Sequence, residues 1–313
     1  MGHRLPDADS FGAAIGIYRA AKTLNKKAYI VIDNPTSSII PLMNTFRDNQ
    51  DYEADMFVNN HEAKEIMDDN TLLVVVDTNK PSITQCEDLL YMAKMIVVLD
   101  HHRQGSDTIR NSVLSYIEPY ASSASEMVAE ILQYFTEGIR IRNVEADSIY
   151  AGIMIDTDNF MQKTGVRTFE AAAFLRRCGA DVTRVRKLFR EDMNDYKARG
   201  ETIRNAELFR GQFAISECPS DYVDSPTVVG AQAANELLNI VGVKASFVLT
   251  EYKGVIYISA RAIDEVNVQI IMERMGGGGH LNMAGCQLET VNMEGARNLL
   301  KSTLTEMQDG GEI

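Results

Sequence analysis

The chain has no tryptophan, only five histidines and seven prolines in 313 residues, and a deficit of positive charge, with 31 lysines and arginines against 44 aspartates and glutamates. A net charge of −13 excludes a protein that grips long nucleic acid through its phosphates, which needs a basic track. The four cysteines, Cys86, Cys178, Cys218 and Cys286, are far apart and form no C-x-x-C pair. That argues against a zinc ribbon and for a reducing, cytoplasmic compartment. Long apolar runs are missing as well: nothing reaches the roughly eighteen apolar residues of a membrane span, and no secretory signal is visible.

What is there, 45% apolar and 24% charged residues, is the composition of a globular protein long enough for two domains of unequal size. In the first half, β-rich runs alternate with helical patterns. "AYIVID" (28–33), "TLLVVVD" (71–77) and "MIVVLD" (95–100) each end in an aspartate. Helical spacing covers Phe11–Leu24, Ile83–Met92 and Ser125–Phe135, the last with Ser122 or Ser123 as N-cap. Strand, helix, strand in repetition predicts an α/β domain with a parallel sheet and helices on both faces, where ligands collect at the carboxyl ends of the strands. From Val144 to Phe209 the pattern is helical, and 191–210 is polar enough to read as a helical linker. "QFAISE" (212–217), "ASFVLTEY" (245–252) and "GVIYISAR" (254–261), with a hairpin turn at Gly254, predict a smaller α/β domain. The expected division is therefore 1–190, 191–210 and 211–313.

Four polar clusters fall at element ends: "GHRLPDADS" (2–10), "VVVDTN" (74–79), "LDHHR" (99–103) and "GIMIDTDNF" (152–160). They offer His3, Asp7, Asp9, Asp77, Asp100, His101, His102, Asp156 and Asp158. Each acid alone has a plain alternative as a helix cap or turn residue. Four clusters converging on one sheet edge is a different matter. Imidazoles mixed with many carboxylates suit manganese, iron(II) or cobalt, and so many anionic donors exceed what one divalent ion takes. Two ions sharing a bridging carboxylate would use them, and such pairs act on phosphate esters. His61 reads as a solvated helix-start residue. "GGGGH" (276–280) follows the helical "VNVQIIMERM"; it reads as a loop wrapping a phosphate, with a helix C-cap as the alternative. Arg261 ends the preceding strand and can offer a bidentate fork to a phosphate.

These residues, in this order, resemble the DHH/DHHA1 phosphoesterases, and among them the cyclic-di-AMP phosphodiesterases of the GdpP/YybT type. The resemblance covers essentially the whole chain. It implies two Mn2+, with Co2+ or Mg2+ as alternatives: His3 and Asp7 on one ion, Asp9, His101 and Asp156 on the second, and Asp77 bridging. It implies that Asp100 orients the neighbouring histidine and that His102 faces the substrate phosphate. Arg261, Ser259, Gly276, Gly277, Gly278, Gly279 and His280 would hold the nucleotide. The implied partner is a cyclic dinucleotide, with no long nucleic acid, no membrane contact by this segment and room for a homodimer. In the family the H-x-x-x-D-x-D cluster follows a buried strand, whereas only Met1 and Gly2 stand before His3. The expectation is a fragment of a longer, membrane-anchored protein, or a chain whose first strand is left out.

The expected reaction is hydrolysis of cyclic-di-AMP to linear pApA. A nano-RNase acting on short linear oligonucleotides is the nearest rival, since it would use the same metals. A pyrophosphatase would have little use for the glycine-rich cradle. A degenerate cyclic-dinucleotide sensor would have lost ligand types that are all present here.

Overall fold

The computed structural model describes residues 1–190, 192–263 and 265–313, and the chain divides into two compact units, Met1–Arg190 and Glu191–Ile313. In chain order the first holds α1 (Ala8–Thr23), β1 (Ile30–Val31), α2 (Ile40–Arg47), β2 (Phe57–Val58), α3 (Asn60–Ile66), β3 (Leu72–Val76), α4 (Asp88–Met92), β4 (Met95–Asp100), β5 (Leu114–Ile117), α5 (Ala124–Phe135), α6 (Asn143–Asp156), α7 (Val166–Arg177) and α8 (Val182–Leu188). The strands β3, β4 and β5 pair in parallel in that order, and β1 pairs in parallel with β2. Met1 N–H donates to Val74 O, and Val76 N–H to Met1 O. The first two residues thus lie along β3 as a strand would.

The unbroken Leu/Val/Ile runs of β3 and β4 are what a strand covered on both faces requires. Successive side chains go to opposite cores. Leu73 and Val75 join Leu89 and Leu90 on one face, while Val76 joins Phe11, Ile15 and Ile149 on the other. Helices therefore cover both faces of the sheet, as the alternating pattern predicts. The expected helix Ile83–Met92 is shorter: a 3-10 turn at Pro81–Ile83 precedes the five-residue α4. Its first half is drawn off by the start of the chain, because Arg4 N–H donates to Ile83 O, Gln85 N–H to Gly2 O, and Thr84 bridges to His3.

The second unit holds α9 (Met193–Arg204), β6 (Glu207–Phe209), β7 (Phe213–Cys218), α10 (Pro226–Leu237), β8 (Ala245–Tyr252), β9 (Val255–Ala262), α11 (Val268–Arg274), β10 (Gly278–His280), β11 (Met283–Leu288) and α12 (Met293–Asp309). Its mixed sheet runs β10-β11-β9-β8-β7-β6, with only β7 and β8 parallel. Lys253 and Gly254 form the β8–β9 hairpin turn, with φ of 52° and 78°, the left-handed pair that a two-residue loop needs. The expected linker 191–210 carries β6 as well as α9, and Ala198 of α9 is buried with Ala233 and Val248 of this unit. Both elements belong to its fold.

Helix α1 runs against α6 at a distance that only glycine permits. A Cβ at Gly12 would stand 2.6 Å from Ser148 O, a backbone atom. In an exposed helix, Gly→Ala gains up to about 1 kcal/mol; here overpacking should reverse the sign. Gly12→Ala is expected to lower stability by about 1–3 kcal/mol, read as a lower urea midpoint at unchanged m. Gly200→Ala in α9, where nothing lies within 4 Å, should raise it.

Candidate active site

The acids and imidazoles of all four sequence clusters meet at the carboxyl end of the β3–β4 sheet. Asp77 follows β3 in a left-handed conformation (φ 58°), which Asp tolerates better than most residues, and its N–H is held by Leu99 O at 2.9 Å. Its carboxylate is split between two groups. Oδ2 lies 3.2 Å from His3 Nε2, which is also 3.5 Å from Asp7 Oδ2. Oδ1 lies 3.4 Å from His101 Nε2, which stands 3.8 Å from Asp9 Oδ2 and 3.7 Å from Asp156 Oδ2. Three overlapping donor sets result, His3/Asp7/Asp77, Asp9/His101/Asp156 and Asp77/His101/His102, with Asp77 in two of them and 3.4 Å from His101 of the other, and with His102 Nδ1 3.7 Å from Asp77 Oδ1.

Each acid is delivered by a separate local device. Asp7 caps α1, taking the Ser10 N–H on Oδ1 at 2.9 Å, so the plain reading as a helix cap and the ligand reading hold together. Asp9, in the first turn of α1, receives the N-terminus of α5: Ala124 N–H donates to Oδ2 at 2.7 Å and Ser125 N–H to Oδ1 at 2.8 Å. Ser123 caps that helix. Asp156 is the last residue of α6, after which Asp158, Asn159 and Phe160 turn away with φ of 48°, 57° and 66°. Asp158 itself is exposed and outside the cluster.

The electrostatics show what the cluster lacks. Burial lowers the His3 pKa, but hydrogen bonds and charge from Asp7 and Asp77 outweigh it and hold the imidazole up at about 10. His101 is raised to about 9 in the same way, by Asp77, Asp9 and Asp156 against burial. Burial, with the charges of Asp77 and Asp156, pushes Asp9 well above the carboxylate range, and burial likewise raises Asp156. Protons are being held where positive charge is missing. Asp77 Oδ1 and Asp156 Oδ2 are moreover buried with no hydrogen-bond partner, a costly state. Only the 3.2 Å contact of His3 Nε2 with Asp77 Oδ2 falls within ordinary hydrogen-bond range; the others, 3.4–3.8 Å, are longer, and the arrangement suits oxygens and nitrogens around divalent cations. The donor set, two imidazoles and four carboxylates without sulfur, fits such ions.

His102 differs from its neighbour. Its side chain is 57% exposed against 8% for His101, and its Nδ1 bonds Asp100 Oδ1 at 2.8 Å. Burial raises the fully buried Asp100, but the bonds from His102 and Asn79 outweigh it and leave the carboxyl below its ordinary range. Asn79 Nδ2 donates to Asp100 Oδ2 at 2.5 Å and to His102 O at 3.2 Å. The sequence places Ser122 or Ser123 at the N-cap of α5 but assigns neither that N-terminus nor Asn79 a role in the site. An amide two residues after Asp77 and a "SSASE" cap were the available signals.

In the second unit the glycine run divides by role. Gly276, at φ 83°, and Gly277 close α11 through N–H bonds to Glu273 O and Met272 O, the Schellman pattern of a helix end. A Cβ at Gly277 would meet Gly285 O at 2.1 Å, and one at Gly279 would meet Ala284 Cα at 2.4 Å. Gly278, Gly279 and His280 form β10, and only Gly278 faces open space on both counts. Ser259, Gly276 and Gly277 line a cavity of about 490 Å³ with Thr227, Tyr257 and Gln287. Arg261, on the same face of β9 as Ser259, has a buried Nε without a partner; burial lowers its pKa. His280 is exposed, outside that cavity.

Two sets of carboxylate and imidazole donors sharing one aspartate at a strand end, on an α/β unit followed by a mixed-sheet unit, define a metal-dependent class of protein. The family described as "DHH family, N-terminal domain" matches residues 1–153 and the "DHHA1 domain" matches residues 213–306; the chain belongs to the DHH/DHHA1 family. It is 43% identical over 99% of its length to the cyclic-di-AMP phosphodiesterase GdpP of Bacillus subtilis, and 39% identical over 97% to the cyclic-di-AMP phosphodiesterase PdeA of Listeria monocytogenes. It spans 48% and 46% of those proteins, about half their length. The crystal structure of an exopolyphosphatase-related protein from Bacteroides fragilis, 22% identical, superposes with a TM-score of 0.79 over 98% of this chain and 91% of that one, which shows the shared fold. Among the described residues, no helix is long and apolar enough to cross a membrane.

Gly277→Ala is expected to lower the melting temperature through its clash with β11, whereas Gly278→Ala should leave it unchanged. Differential scanning calorimetry of the two variants checks this. Equal melting temperatures would show that β11 yields to the added methyl.

Proposed function

We propose that this chain hydrolyses cyclic-di-AMP to linear pApA using two divalent cations, manganese by the donor chemistry. The observation that carries the reading is the divided Asp77 carboxylate, one oxygen toward each donor set. Support for the substrate comes from the relatives at about 40% identity over nearly the whole chain. His3, Asp7 and Asp77 would hold one ion, and Asp9, His101, Asp156 and Asp77 the other. When bound, the pair supplies positive charge that polarises the phosphodiester and acidifies water near neutral pH.

The remaining work falls to side chains. Ionised Asp100 only accepts hydrogen bonds, so His102 Nδ1 carries the proton and the ring orientation is set from behind. Nε2 is left without a protein partner among the described residues, and in the doubly protonated ring it would donate a hydrogen bond to the phosphoryl group. Asn79 takes the second Asp100 oxygen and fixes that carboxylate. Removing a donor of this kind costs on the order of a hundredfold to a thousandfold in kcat. In the second unit, Arg261, Ser259, Gly278 and His280 are assigned to nucleotide contacts. Gly278 is the informative glycine, because alanine there alters no packing.

An assay of cyclic-di-AMP, cyclic-di-GMP, pApA and pyrophosphate with manganese tests the reading; pApA accumulating from cyclic-di-AMP is the expected result. Pyrophosphate as the sole substrate would overturn it. Asp77→Ala is expected to abolish turnover and weaken both manganese-binding events in calorimetric titration. His101→Ala should lose one event, and His102→Ala should keep both while turning over about a hundredfold or more slowly. Loss of metal in His102→Ala equal to that in His101→Ala would exchange their assigned roles.

A further inference from the structure

The first unit contains a second feature beside the Asp100–His102 pair. A cavity of about 440 Å³ is lined by Arg103, Gln104, Ile117, Pro119 and Tyr120. Both of its walls grow from that pair. Arg103 and Gln104 are the two residues after His102, while Ile117 stands opposite Asp100 in the β4–β5 register and Glu118 N–H donates to Asp100 O at 2.9 Å. The Asp100–Asn79–His102 network therefore fixes the cavity as well as the imidazole.

Its lining has a specific chemistry. Ile117 and Pro119 are apolar, and proline restricts the backbone that presents Tyr120. The Tyr120 ring is 92% exposed. Among the described residues no hydrogen bond or ion pair engages the side chains of Arg103, Gln104 or Tyr120. An open aromatic face, an amide carrying both donor and acceptor, and an uncommitted guanidinium are the groups that take a base by stacking and edge contacts. Inorganic pyrophosphate would use none of the apolar surface. The volume lies low in the range of about 300–1,000 Å³ for small-molecule sites, which suits one nucleoside.

We propose that this cavity seats the nucleoside flanking the scissile phosphate, with its base stacked on Tyr120 and Arg103 toward the phosphate. The proposal rests on the dinucleotide reading above. It places a specificity contact on the metal-bearing unit itself, one residue beyond the Asp-His-His run.

Steady-state kinetics with manganese test it, using Tyr120→Ala and Tyr120→Phe on cyclic-di-AMP, pApA and bis-p-nitrophenyl phosphate. Loss of one base stack corresponds to about a 5- to 150-fold fall in kcat/KM, expected for Tyr120→Ala on both nucleotides and mainly through KM. Tyr120→Phe keeps the ring and should match wild type, and the generic ester should be hydrolysed equally by all three proteins. The exposed position makes the variants safe for folding. Unchanged nucleotide kinetics in Tyr120→Ala, or an equal loss on the generic ester, would overturn the proposal. Wild-type protein that spares cyclic-di-AMP but cleaves pApA overturns the cyclic-substrate reading alone, and the Tyr120→Ala ratio on pApA then decides the cavity. Wild-type protein that cleaves no nucleotide overturns both.

Discussion

Four carboxylates, Asp7, Asp9, Asp77 and Asp156, converge on two imidazoles at one strand end, and the six residues include no lysine or arginine to balance them. Burial raises the pKa of Asp9 and Asp156, and the like charges around them add to it. Much of the first unit is arranged to hold that repulsion. Two helix N-termini are aimed into the cluster, α1 through Asp7 and Asp9 and α5 through its bonds to Asp9, and each contributes partial positive charge to neighbouring anions. The close α1–α6 packing at Gly12 ties Asp9 and Asp156 to the same helical pair. Bound divalent metal would complete the balance that the protein leaves open.

Adjacent residues after one strand end stand in different environments, 8% and 57% exposed. His101 is enclosed and surrounded by three acids, conditions that suit a ligand. His102, one step on, is open to solvent, hydrogen-bonded at Nδ1 to Asp100, which is itself locked by Asn79, and 3.7 Å from Asp77 Oδ1. The two residues follow β4 with their ring centroids 4.4 Å apart, and both approach Asp77 Oδ1, at 3.4 and 3.7 Å, so it is the difference in burial that gives them two environments. A single histidine could not occupy both.

The strands β3 and β4 were legible from their Val/Ile/Leu runs, and β8 and β9 from β-rich segments, ASFVLTEY and VIYISARA, flanking the Gly254 turn. The candidate metal donors were legible for another reason: polar clusters at strand ends stand out against apolar runs. What stayed hidden depends on contacts remote in sequence. The shortened helix before Met92 follows from Gly2, His3 and Arg4 pairing with residues 83–85, some eighty positions away. The anchoring of Asp9 by Ala124 and Ser125 is longer-range still. The uniformity of the glycine run leaves its phosphate-loop and helix-cap readings undivided in the sequence, since identical residues serve as helix cap, close approach and edge strand.

The acidity of the chain and the anionic character of its proposed substrate are reconciled by distance. At physiological ionic strength fields decay over about 8 Å, so a net charge of −13 discourages a long polyanion that must lie across the surface but hardly affects a dinucleotide drawn into one locus. Positive charge is needed only there. Bound cations would supply it at the scissile phosphate, and Arg103 and Arg261, neither committed to an acid among the described residues, are available for flanking phosphates. Affinity for such a substrate then has to come from base contacts rather than a basic track, and an open tyrosine ring one strand from Asp100 is where the first unit offers one.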